Sequence, residues 1–162
     1  MNNKKIIILT LVLLALFLTS ACGTNANNGS TTGSGEQISD ENPQEILELY
    51  IQAIANQDAE KLVELYGGSY QSLMNIFPET DPNDKQKLFE QYLERISKIS
   101  LKEIVEQSEV SKDEFKFVIT FKEEDGALFQ TREFDIITDK FTYTVTRVSG
   151  KLKVMELPPY QA

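Results

Sequence analysis

The sequence predicts an α+β domain, with N-terminal helices packed on a curved antiparallel sheet. Three observations carry this. Apolar residues recur at helical spacing between residues 43 and 97. From about residue 100 they switch to strict alternation. The alternating runs are punctuated by the turn dipeptides Asp125-Gly126 and Ser149-Gly150.

The helices come first. In "NPQEILELYIQAIAN" Asn42 is placed to be an N-cap, Pro43 suits the first helical position, and Glu45 completes a capping-box-like pattern. Ile46, Leu49, Tyr50, Ala53 and Ile54 then share one face. A second helix is expected from Asp58, burying Leu62, Val63, Leu65 and Tyr66 and stopping at Gly67-Gly68. "SYQSLMNIF" is expected to make a further short turn. A third helix is expected over 83–97, with Leu88, Phe89, Tyr92, Leu93 and Ile96 inward. "DPND" at 81–84 reads as the turn that caps this helix. As a calcium loop it would need Gly at the sixth position and Glu at the twelfth, and the twelfth is Tyr92.

Strands are expected near 100–108, 114–123, 128–137, 141–148 and 152–157. A loop at Asp125-Gly126 sets Phe117 opposite Phe134, Phe115 opposite Ile136 and Ile119 opposite Arg132. It sends Glu133 and Asp135 to the outer face. A loop at Ser149-Gly150 sets Val145 opposite Val154 and Arg147 opposite Leu152. One face then collects the apolar side chains of all these strands, and a one-residue slip would scramble it. "KEEDG" at 122–126 is a charged hairpin tip.

The first forty residues have a different character. Lys4 and Lys5 precede an apolar run from Ile6 to Leu18, followed by Thr19-Ser20-Ala21 and the only cysteine, Cys22. A basic start, a short apolar middle and a small-residue end make an export signal over 1–21, too short for a transmembrane helix. "TSAC" resembles the lipobox of bacterial lipoproteins, which implies acylation of Cys22 and anchoring on the extracytoplasmic face of the cell membrane. A diacylated thioether supplies two chains, enough for stable attachment. Residues 22–41, nearly all small and polar, are expected to be a flexible tether, leaving 42–162 as one domain. With one cysteine there is no disulfide framework.

Loss of Lys4 and Lys5 with residues 1–21 takes Lys+Arg from 16 to 14 against 25 Asp+Glu, a formal charge of −11. Such a surface is repelled by nucleic acid and by anionic headgroups, so the expected membrane contact is the lipid alone.

"YIQAIANQDAEKLVELYGG" resembles the opening helix pair of the NTF2-like (SnoaL-like, cystatin-like) superfamily, and "FTYTVTRVSGKLKVMEL" resembles its closing hairpin. The resemblance covers most of 43–157. It implies a curved sheet wrapped on helices, cone-shaped and often enclosing a pocket. It implies no particular reaction, since unrelated functions share the fold.

The composition excludes much chemistry. There is no histidine, hence no Ser-His-Asp arrangement and no histidine metal site. No phosphate loop or dinucleotide fingerprint is present, and neither a cofactor nor a metal is expected. The feature that stands out is a pair of cations: Arg132 and Arg147 fall on the apolar face, near one end of the sheet, on neighbouring strands. Either they pair with helix acids such as Glu48 or Glu64, or snorkel to solvent, or they hold a small carboxylate or phosphate.

The sequence thus points to a lipid-anchored binding or accessory module, with two alternatives. A lyase or isomerase would enclose a cavity lined by an acid or a tyrosine pair. A protein-interaction domain of the cell envelope would have a filled interior and an exposed apolar patch.

Overall fold

Asn42 opens the first helix of the computed structural model, which describes residues 42–160; the expected signal (1–21), Cys22 and the tether (22–41) lie outside the described residues. The Asn42 side chain accepts the Gln44 N–H at 3.0 Å, and α1 runs Pro43–Asn56. It stops at Gln57, which takes a left-handed conformation (φ 57°). That turn lets the Gln57 and Asp58 N–H groups satisfy the carbonyls of Ile54 and Ala53 at 3.1 and 2.9 Å. Asp58 at once caps α2 (Ala59–Leu65), accepting the Lys61 N–H at 2.9 Å.

The buried face of α1 is Leu47, Tyr50, Ile51, Ala53 and Ile54. The expected stripe was set too far round: Leu49 is exposed, while Leu47 and Ile51 are inside. The reason is that α1 is covered on two sides, by α2 and by the sheet, so its apolar arc is wider than one stripe.

Two more helices follow, α3 (Gln71–Ile76) and α4 (Lys85–Leu93). The turn at 81–84 caps α4 as expected: Asp81 holds the Asn83 N–H at 2.8 Å, and Asp84 accepts the Lys87 N–H at 2.9 Å. The helix is shorter than expected at both ends. Its exit tightens, with Arg95 N–H on the Tyr92 carbonyl at 3.0 Å and Ile96 N–H on Leu93 at 3.4 Å.

The strands are β1 (Ile99–Ser111), β2 (Glu114–Glu123), β3 (Thr131–Glu133), β4 (Ile136–Thr138), β5 (Phe141–Val148) and β6 (Lys151–Val154). Four form an antiparallel sheet in the order β1-β2-β5-β6, and β3 and β4 form a separate two-stranded ribbon. β1 shifts register at Leu101/Glu103, Ile104/Glu106 and Glu109/Ser111. Such irregularities bend a long strand and increase its twist.

The Ser149-Gly150 register is found as expected, with Val145 opposite Val154 and Arg147 opposite Leu152. The Asp125-Gly126 register is corrected. The turn forms, with the Glu123 N–H on the Ala127 carbonyl at 2.9 Å and Gly126 at φ 87°, but the pairing lasts only to Phe129. There the chain leaves, makes the β3–β4 ribbon and returns as β5, which takes the place beside β2. Phe117 therefore faces Tyr143, Phe115 faces Val145, and Ile119 faces Phe141. Phe134 and Ile136, expected inside, are exposed.

Aromatic packing explains the exit point. Phe129 is buried, with its ring 6.3 Å from Phe121 and 5.7 Å from Phe141, and these three close the end of the core where β5 begins. The rest of the core lies between the helices and the inward face of Phe117, Ile119, Phe121, Tyr143, Val145, Leu152 and Val154.

Candidate functional site

Three tyrosines from three elements converge on the segment that follows β6. Tyr50 of α1 donates to the Glu156 carbonyl at 2.9 Å, Tyr143 of β5 to Leu157 at 3.4 Å, and Tyr92 of α4 to Pro158 at 2.8 Å. The tail is stitched to the sheet as well. Met155 N–H reaches the Thr144 carbonyl at 3.0 Å, and the Glu156 carboxylate accepts the Thr144 N–H at 2.6 Å. Burial pushes the Tyr92 phenol up to about 12 and those of Tyr50 and Tyr143 higher still. All three are therefore neutral donors at ordinary pH. All three hydroxyls are thus committed to the chain's own carbonyls.

The two sequence-predicted arginines are not brought together. Arg132 lies on β3 in the ribbon, exposed, paired across from Ile137. Arg147 lies on β5 in the main sheet, whose neighbours are β2 and β6. The neighbouring-strand geometry is lost because β5, not β3, pairs with β2. Arg147 is also engaged within the fold. Its Nε donates to Asp113 Oδ1 at 3.3 Å and its Nη1 to the Gly150 carbonyl at 3.1 Å, while its backbone N–H meets the Asp113 carbonyl at 2.8 Å. One side chain thus fastens the β1–β2 turn to the β5–β6 turn. The acid that pairs with it comes from a hairpin turn, not from Glu48 or Glu64.

Sequence reasoning missed two features. The first is the tip of the β3–β4 ribbon. Phe134 is 89% exposed and sits at φ 54°, a left-handed conformation costly for a bulky side chain; Ile136 and Ile137 beside it are 69% and 52% exposed. The alternation of Phe134 with Ile136 was visible, but it is the same signal that an inward strand gives.

The second is a cleft of about 260 Å³ between α4, the end of α3 and the tail, lined by Ile76, Tyr92, Arg95 and Tyr160. Arg95 lies just past α4, with its guanidinium stacked 4.5 Å above the centroid of the Phe77 ring. A lone arginine at a helix end carries no sequence signal. A larger hollow of about 430 Å³ on the outer sheet face is lined by Glu106, Gln107, Ser108, Lys116, Val118 and Thr142. Its charged lining residues are one acid, Glu106, and one cation, Lys116.

Among the described residues no cluster of three or more Asp, Glu, Cys or His is placed to hold a metal ion, and no helix is long and apolar enough to cross a membrane. Neither the protein-family models nor the curated proteins give a match to this chain.

Proposed function

We propose that the chain is a membrane-anchored extracytoplasmic lipoprotein, held through acylated Cys22 and a tether over 22–41, whose NTF2-like domain serves as a protein-interaction module of the cell envelope. The observation that carries the reading is the ribbon tip: Phe134, Ile136 and Ile137 are all exposed, the two isoleucines on opposite faces of a hairpin that pairs only with itself among the described residues. The NTF2-like assignment is supported by the order of elements, an α1–α2 hairpin ahead of an antiparallel sheet whose last two strands form the closing hairpin.

The interior favours interaction over a lyase or isomerase. Tyr50, Phe117, Phe121 and Tyr143 fill the helix-facing side of the sheet, and the two tyrosine hydroxyls are committed to tail carbonyls. A substrate would have to displace bonded backbone to reach them.

The test uses the full chain in its own membrane with a photo-crosslinking amino acid at position 134 and, as control, at exposed Glu60 on α2. A discrete protein adduct from position 134, absent from position 60, is the expected result. No adduct, or equal smears from both positions, overturns the interaction reading. Labelling with an alkyne fatty acid, lost in Cys22→Ser, tests the anchor separately.

A further inference from the structure

Arg95 is an uncommitted cation in an acidic chain of 25 Asp+Glu against 16 Lys+Arg. Among the described residues none of the ion pairs includes it. One face of its guanidinium is used against Phe77, which fixes the plane and leaves the N–H edge to donate. Arg95 lines a cleft whose other walls are Ile76, Tyr92 and Tyr160, with no acid among the described lining residues. Tyr92 has spent its hydroxyl on Pro158, so it contributes a ring rather than a donor.

We propose that this cleft binds a small amphipathic monocarboxylate: a carboxylate on an aromatic or branched apolar body. The carboxylate takes the fork of Arg95, and the apolar body lies against Ile76 and the two tyrosine rings. Charge selects the head group, since the rest of the surface repels anions and only an arginine held flat and unpaired offers two parallel donors. Volume selects the body. At about 260 Å³ the cleft is just below the range of roughly 300–1,000 Å³ that holds drug-sized ligands, so the occupant is compact. Inorganic phosphate matches the cation but leaves the apolar walls empty. A neutral aromatic matches the walls but leaves the guanidinium unused.

Benzoate is the probe, titrated into the full chain in detergent and followed by NMR at the Ile76 methyls, the Arg95 Nε–H and the Tyr92 and Tyr160 rings. The expected result is a saturable shift confined to these groups. Benzyl alcohol, which keeps the ring and loses the charge, binds about tenfold or more weakly, as does benzoate to Arg95→Gln. Arg95→Lys falls between, keeping the charge without the fork. Because Arg95 is exposed, both variants are expected to unfold cooperatively, Arg95→Gln only a few degrees lower for the lost stacking on Phe77, which separates lost binding from lost fold. No saturable shift up to about 10 mM benzoate, or equal affinity in Arg95→Gln, overturns the site. So does a shift of the same size with benzyl alcohol.

Discussion

Tyr92 of α4 donates its hydroxyl to the carbonyl of Pro158 at 2.8 Å, across 66 residues of sequence, and both residues are buried. With Tyr50 on Glu156 and Tyr143 on Leu157, this makes three successive tail carbonyls the acceptors for a helix, another helix and a strand. The tail beyond β6 is therefore a structural part of the domain. It closes the gap between the helical layer and the sheet.

A chain ending at Met155 leaves three buried hydroxyls without acceptors, each costing roughly 1–3 kcal/mol. The sum is a large share of the 5–15 kcal/mol that typically holds a domain together. The truncated chain is expected to lose cooperative thermal unfolding. Tyr92→Phe removes one bond and keeps the ring, and is expected to cost about 1 kcal/mol in urea unfolding. A truncated chain that melts like the parent would show the tail to be ornamental.

Stability is expected to fall steeply in alkali. Tyr66, Tyr70 and Tyr92 are pushed up to about 12 by burial, and Tyr50 and Tyr143 are raised further, from an ordinary value of 10.0. Above about pH 10 the unfolded chain gives up phenolic protons that the folded chain retains, so protons bound to the native state exceed those bound to the unfolded one. The stability held below pH 10 is then lost as pH climbs through 12 and beyond. The urea midpoint measured against pH reads this directly. The Tyr50→Phe, Tyr92→Phe, Tyr143→Phe triple variant should start lower and decline more gently, and parallel declines would count against the burial argument.

The two arginines are expected to part company on mutation. Arg147→Gln cuts the link between the Asp113 turn and the Gly150 turn and is expected to destabilise by about 1 kcal/mol, since the pair is only half-shielded from water. Arg132→Gln touches an exposed side chain on the ribbon and is expected to stay within about 0.5 kcal/mol of the parent. Urea unfolding of both variants decides. Equal losses would mean that Arg132 is built into the fold as well.

Local signals in this sequence were legible where chemistry is local. Asn42, Asp58 and Asp84 each cap the helix they precede, and Ser149-Gly150 sets the register of β5 on β6. What failed was a choice between equals. "REFDII" and "FTYTV" both alternate, and period two alone cannot tell which of them lies beside β2. The deciding contact, Phe129 wedged between Phe121 and Phe141, is tertiary. That single choice carried Arg132 away from Arg147 and put Phe134 in water. Arg95 was illegible for another reason: its setting is made by Phe77, Ile76 and Tyr160, from two distant parts of the chain.

Phe134 is the position where fold and function are expected to separate. Its φ of 54° is reached freely by glycine and only with strain by an aromatic side chain. Its ring, 89% exposed, earns little packing in return. Phe134→Gly relieves the left-handed strain at the cost of added freedom in the unfolded chain, terms of similar size near 1 kcal/mol. The melting temperature is therefore expected to stay put or rise slightly. A buried phenylalanine would instead cost about 3–5 kcal/mol on truncation. If the ribbon tip is the docking element, the same variant should compete poorly with the parent for the partner captured from position 134, without any loss of fold. A variant that melts several degrees lower would place Phe134 in the core after all. One that melts unchanged and competes fully would take the tip out of the interface.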